Sequence, residues 1–143
     1  MTNQPISRIG FMMEQALGAM TSTLAAEFMK EGIDLPHSQY AVLRLIYTHE
    51  GLLTQIRIAE ILKKDAAAIK RTIDILEKKG FVTREAQSGR SNYVTCTEKA
   101  LRLKNIITDI ANRTLLSIFG TFTDDELNIF TDILGKIAAS RNG

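Results

Sequence analysis

The sequence predicts a mainly α fold with a small β-hairpin wing, in one domain, and three observations predict it. Between Thr54 and Thr97, two short helical patterns (Gln55 to Lys63 and Asp65 to Lys79) are followed by two strand-like runs (Phe81 to Ala86 and Asn92 to Cys96). Long stretches of apolar residues at helical period flank this centre on both sides. Charge is segregated: Arg57 to Lys104 holds 12 Lys or Arg against 6 Asp or Glu, a net of +6, while the remainder holds 6 against 10, a net of −4, within a chain total of +2. Helix, helix, hairpin within about 43 residues is the order of a winged helix-turn-helix, whose second helix enters the DNA major groove. A basic centre between acidic flanks fits a phosphate-facing surface, although one such cluster taken alone is equally a solvated face. The expected layout is a winged helix-turn-helix lobe over 35–97, flanked by dimerisation helices over 6–34 and 98–143.

Composition bounds the answer. The chain has 143 residues, 45% hydrophobic and 24% charged, which is ordinary for a globular domain with a real core. No run approaches the roughly 18 apolar residues of a transmembrane helix. No basic leader precedes an apolar segment, and Glu14 interrupts the nearest candidate, so no signal peptide is expected. The single cysteine, Cys96, rules out an intramolecular disulfide and fits a reducing cytoplasm. There is no glycine-rich phosphate loop, nucleophile elbow or His–carboxylate cluster, so neither an enzyme nor a cofactor is expected.

From Ile6 to about Glu31 the pattern is helical, with Ile9, Met13, Ala16, Leu17, Met20, Leu24 and Phe28 on one stripe and Gly32 as its stop. The stripe suits core or dimer packing. Its methionines, Met13 among them, also suit a deformable wall for an apolar ligand. Leu35 to Thr48 is a second helix, entered at Pro36, with Tyr40, Leu43, Ile46 and Tyr47 inward. Arg44 lies one turn from both Tyr40 and Tyr47; it is either a snorkelling surface residue or the anion partner of a ligand carboxylate. His37 and His49 have no nearby cysteine or carboxylate spacing, so they read as surface or turn histidines and no metal site is expected.

Gly51 to Leu53 suits a short strand paired with the wing, and Thr54 caps the next helix, where Ile58, Ala59 and Leu62 pack inward. Asp65 caps the following one. Its Ile69, Ile73 and Leu76 recur at i, i+4 and i+7 and must face a core. Ala67, Lys70, Arg71, Asp74 and Lys78 lie opposite, and Gly80 stands where a left-handed C-cap residue belongs. The first turn carries only methyl side chains, so base reading falls on Lys70 and Arg71. In the wing, alternation brings Val94 and Cys96 to one face, which makes Cys96 a small buried hydrophobe. Thr97 caps a helix to about Phe119, where Leu103, Ile106, Ile107, Ile110, Thr114 and Leu115 keep a helical period. Its roughly 22 residues span ~33 Å. Thr123-Asp124-Asp125-Glu126 is a capping box opening a last helix with Leu127, Phe130, Leu134 and Ile137 on one stripe. The terminal helices carry more apolar surface than one small domain covers, so a two-fold homodimer is expected.

Leu35, Gln39, Tyr40, Val42 and Leu43, then Leu53-Thr54-Gln55 with Ile58-Ala59, then Asp65, Ile69, Arg71, Ile73, Asp74, Leu76, Glu77 and Gly80, continue through Val82, Arg84, Arg90, Val94, Thr97 and Glu98. In these residues the chain resembles the MarR family of bacterial winged-helix transcriptional regulators over nearly its whole length. It departs from the family in having Ala67 and Ala68 for Ser or Thr, Ser88 for the aspartate before the wing arginine, Cys96 for leucine and Ala100 for glycine. The resemblance implies a repressor that binds a pseudo-palindromic double-stranded operator through Thr54, Gln55, Ala67, Ala68, Lys70, Arg71, Arg84, Ser88 and Arg90. It further implies release by a small aromatic or phenolic ligand between the dimer helices and the DNA-binding lobe; Met13, Tyr40, Arg44 and Tyr47 are the candidates to line that site. Peroxide sensing by a first-helix cysteine does not transfer, because no cysteine stands there. The alternative is a winged helix that binds protein and not DNA. The two separate by salt, since DNA binding weakens steeply with ionic strength.

Overall fold

Six helices and three short strands follow one another in the computed structural model, which describes residues 5–86 and 92–140. The elements are α1 (Ile6–Lys30), α2 (His37–Thr48), β1 (Leu53–Thr54), α3 (Gln55–Leu62), α4 (Ala66–Lys78), β2 (Val82–Ala86), β3 (Asn92–Cys96), α5 (Glu98–Phe119) and α6 (Asp124–Ala139). The fold is the expected winged helix-turn-helix between long flanking helices. The strands form one antiparallel sheet in the order β1-β3-β2. Leu53 pairs with Val94 and Val82 with Cys96, so the short strand before α3 does join the wing.

Local chemistry sets the boundaries. Thr54, Asp65, Thr97 and Thr123 each accept a backbone N–H of the helix they open, and Thr123 with Glu126 completes the capping box. Gly80 ends α4 at φ 82°, a conformation that costs glycine nothing and a β-carbon a good deal. Gly120 ends α5 differently, at φ −68° with its N–H on the Leu116 carbonyl. A β-carbon there would come within 2.5 Å of the same carbonyl oxygen, so close approach requires the glycine. Pro36 is the N-cap of α2, one residue before the helix.

The core gathers where α2, α3, α4 and the sheet meet the C-terminal third of α1 and the middle of α5. Phe28, Leu35, Leu43, Leu53, Ile58, Ile73, Leu76 and Ile107 are its largest fully buried side chains. Only Leu24 and Phe28 of α1 are buried, and α6 buries nothing. Ile106, one of the residues that keep the helical period of α5, is 47% exposed. Adjacent residues point about 100° apart on a helix, and α5 turns Ile107, Ile110, Ala111 and Thr114 to the core instead. His37 opens α2 and His49 is its C-cap residue, so the helix holds the two histidines at opposite ends. Among the described residues, no helix is long and apolar enough to cross a membrane.

Candidate nucleic-acid interface

The exposed side of α3, α4 and β2 is built from the turn outward. Lys63 takes the left-handed conformation at the end of α3 (φ 57°), and Lys64 N–H returns to the Ala59 carbonyl, so the chain reverses tightly into α4. Asp65 Oδ1 accepts from Ala68 N at 2.8 Å and places a negative charge at the positive end of α4. Ile69, Ile73 and Leu76 are buried. Lys70, Arg71 and Ala67 are thereby turned to solvent, and Ala68 is half-buried. Among the described residues Arg71 makes no hydrogen bond or ion pair. Lys70 Nζ lies 3.2 Å from Asp74 Oδ2, an exposed i,i+4 pair that water screens, so exchange for a phosphate or a base is inexpensive. Thr54 Oγ1 accepts from Arg57 N at 3.2 Å, which keeps its own proton available as a donor.

Arg84 faces inward. Its Nε–H donates to Gln55 Oε1 at 2.5 Å, Nη1 to Glu77 Oε1 at 2.7 Å, and Nη2 to Asp74 Oδ1 at 2.6 Å and the Lys70 carbonyl at 3.4 Å. One side chain thus joins β2 to α3 and α4, and only 15% of it is exposed. The hydrogen bonds from Arg84 and then Lys70 hold the Asp74 carboxyl below the usual aspartate range. The inward aim is explicable in retrospect. Arg84 shares its strand face with Val82, which is buried, so alternation directs both toward the helices. Glu77 and Asp74, three apart on α4, form the acidic socket. Ser88 and Arg90 lie outside the described residues.

The four candidate ligand residues are not brought together within one chain. Tyr40 is buried against Phe28, ring centroids 5.1 Å apart. Met13 stands fifteen positions earlier on the same helix, ~22 Å along its axis, which no side chain spans. Burial pushes the Tyr40 phenol up, and the neighbouring Arg44 partly opposes this. Tyr47 is fastened elsewhere: its hydroxyl donates to the Ala100 carbonyl, and Lys104 Nζ sits 5.7 Å from its ring centre. Of the four, only Tyr47 borders the shallow cleft between α2, β3 and α5, where Cys96, Leu101 and Lys104 also lie. Cys96 is half-buried against the core, and burial raises its thiol.

Residues 35–89 match the model of the MarR family. Over this winged-helix segment the chain is similar to the MarR family. The MarR-type lobe and its flanking helices together share their fold with solved structures. A MarR-family transcriptional regulator from Rhodococcus sp. RHA1 is 22% identical at a TM-score of 0.82, over 99% of this chain and 100% of that one. CouR from Rhodococcus jostii RHA1, bound to p-coumaroyl-CoA, is 24% identical at 0.81 over 99% of each chain. S. aureus MepR, in a complex with DNA, is 20% identical at 0.81 over 96% of this chain and 98% of that one. At these identities the likeness is one of fold.

Proposed function

We propose that this chain is a sequence-specific double-stranded-DNA-binding transcriptional regulator, a repressor acting as a homodimer on a pseudo-palindromic operator. The observation that carries the reading is the outward stripe of α4. Lys70 and Arg71 stand exposed on a helix whose other face is locked into the core by Ile69, Ile73 and Leu76. A rigid helix with two long cations on its free face, beside a β-wing, is built to enter a major groove. The DNA complex of MepR supports the same use of this fold. The homodimer rests on the uncovered apolar faces of α1 and α6, which a second copy would cover. Release by a small aromatic or phenolic ligand is the regulatory part of the proposal; the p-coumaroyl-CoA bound by CouR supports it.

Incubating the purified protein with fragmented genomic DNA and sequencing the retained fragments tests the reading. A recurring inverted repeat is expected, with an affinity that falls steeply with salt. Retention without sequence preference would overturn it. The second reading, a winged helix that binds protein, draws on the exposed Ala67, Ile56 and Ile75. It predicts binding that salt barely changes.

A further inference from the structure

We infer that Arg84 is a positioning residue for DNA binding: by holding the carbonyl end of Gln55 it sets that side chain's NH2 group as the donor offered to a phosphate oxygen. The inference rests on the DNA-binding reading above and adds to it which atoms face the backbone. Arginine carries five N–H donors and no acceptor. Whatever atom of Gln55 lies 2.5 Å from Arg84 Nε must therefore be its oxygen, and the orientation of the amide follows from chemistry alone. Gln55 Nε2 makes no hydrogen bond among the described residues, so the unclaimed polar end of this half-buried side chain is a pure donor. A donor at the first residue of α3 suits a phosphate oxygen and repels nothing on the DNA backbone.

The rest of the Arg84 contacts explain why an arginine is needed. Asp74 and Glu77 put two carboxylates on the helix proposed to enter the groove. The two ends of one guanidinium pair with both, at 2.6 Å and 2.7 Å, while Nε reaches Gln55. The planar fork meets three partners on two helices at once. A lysine ammonium keeps the charge but is a single point on a flexible stem. A phosphate-touching arginine and a positioning arginine thus respond differently to Arg84→Lys.

The test compares Arg84→Lys and Gln55→Glu with the parent protein, on the operator fragment selected above and on the free protein. Gln55→Glu still offers Arg84 an oxygen, so thermal stability is expected to hold, yet it turns a negative oxygen toward the phosphate and weakens binding roughly tenfold or more. Arg84→Lys is expected to weaken binding by a similar factor without changing the slope of log affinity against log salt, because no phosphate contact is lost. In the absence of DNA, amide hydrogen exchange in β2 and the first turn of α3 should accelerate in Arg84→Lys. Unchanged exchange would overturn the brace whether or not DNA binds. Parental affinity in Gln55→Glu would overturn the donor assignment, and parental affinity in Arg84→Lys would make Arg84 an ordinary cation. If the parent protein retained no DNA, the DNA-binding reading would fail while the exchange experiment still judged the brace.

Discussion

The hydroxyl of Tyr47 donates a hydrogen bond to the backbone carbonyl of Ala100, which fastens the last turn of α2 to the first turn of α5. The MarR-type lobe and the long helix that leaves it are therefore joined by a polar contact as well as by packing. Thr97 adds a second joint a few residues away: its hydroxyl donates to the Gly80 carbonyl while accepting from Ala100 N–H. Thr97 thus ties the start of α5 to the glycine that ends α4.

Tyr47→Phe should lower stability by about 0.5–1.5 kcal/mol, the net worth of one intramolecular hydrogen bond. Denaturant unfolding near neutral pH measures it. The alkaline side carries a sign. Burial raises the Tyr47 phenol above its ordinary value of 10.0, so the folded state favours the protonated form. That stability is fully present below the unfolded value and is lost as pH rises toward the folded one. The parent protein should therefore lose stability at alkaline pH more steeply than Tyr47→Phe; parallel curves would refute the assignment.

Removing helix caps should rank by what each hydroxyl touches. Thr97→Ala loses the α5 cap and the bond to Gly80, and is expected to cost about 2 kcal/mol. Thr123→Ala loses one cap on the exposed α6 and should cost about 1 kcal/mol or less. Thermal melts of the two variants give the order, and a larger loss for Thr123→Ala would contradict the placement of α5 in the core.

Arg71→Ala should weaken operator binding by roughly 1–3 kcal/mol and relax base preference at one position of each half-site, if the guanidinium pairs with a guanine edge. Its side chain is exposed on α4 without a partner among the described residues, so stability should hardly change. Binding titrations against single-base operator variants decide it. Uniform weakening across all variants would make Arg71 a phosphate contact.

What was legible in the sequence was local. Asp65, Thr97 and Thr123 announce their helices because a cap acts within three residues of itself, and Gly80 announces a stop because its φ is a property of one residue. The stripe Ile69, Ile73, Leu76 fixed the outward face of α4, and with it Lys70 and Arg71. Arg84 was less legible: the sequence marks it as a cation in a basic wing, while its partners Gln55, Asp74 and Glu77 lie 29, 10 and 7 positions away. No short-range pattern encodes such a meeting; only the burial of Val82 on the same strand face hints at it. Met13 and Tyr40 fail to meet for the complementary reason. Periodicity assigns both to inward faces, but it does not say which length of α1 the core covers. Ser88 and Arg90 keep their sequence-based roles as proposals at the wing.

The uncovered helices make the last prediction. α6 has no buried residue, and Ile129, Phe130, Ile133, Leu134 and Ile137 are between 43% and 61% exposed. Phe130 lies beside Phe119, with ring centroids 6.4 Å apart, and is still 45% exposed. Ile6, Ile9, Phe11, Met13 and Leu17 leave the first half of α1 equally bare. A 16-residue helix without tertiary cover is marginal in water, so its persistence calls for a partner surface. Contiguous apolar area on this scale marks an interface. In the proposed homodimer a second copy would supply the same two faces in reverse, and closed two-fold packing would bury both sets at once. The protein should therefore scatter light at micromolar concentration as twice the 15.9 kDa chain. Phe130→Asp combined with Leu134→Asp should shift it to a single chain and reduce helical circular dichroism as α6 frays. The core around Leu43, Ile73 and Ile107 touches neither position, so cooperative unfolding of the lobe should survive. Operator affinity should fall sharply in the same variant, because two half-sites would then be bound by two independent molecules and no longer by one. A parent protein that scatters as 15.9 kDa, or a double variant that stays dimeric, would place the interface elsewhere.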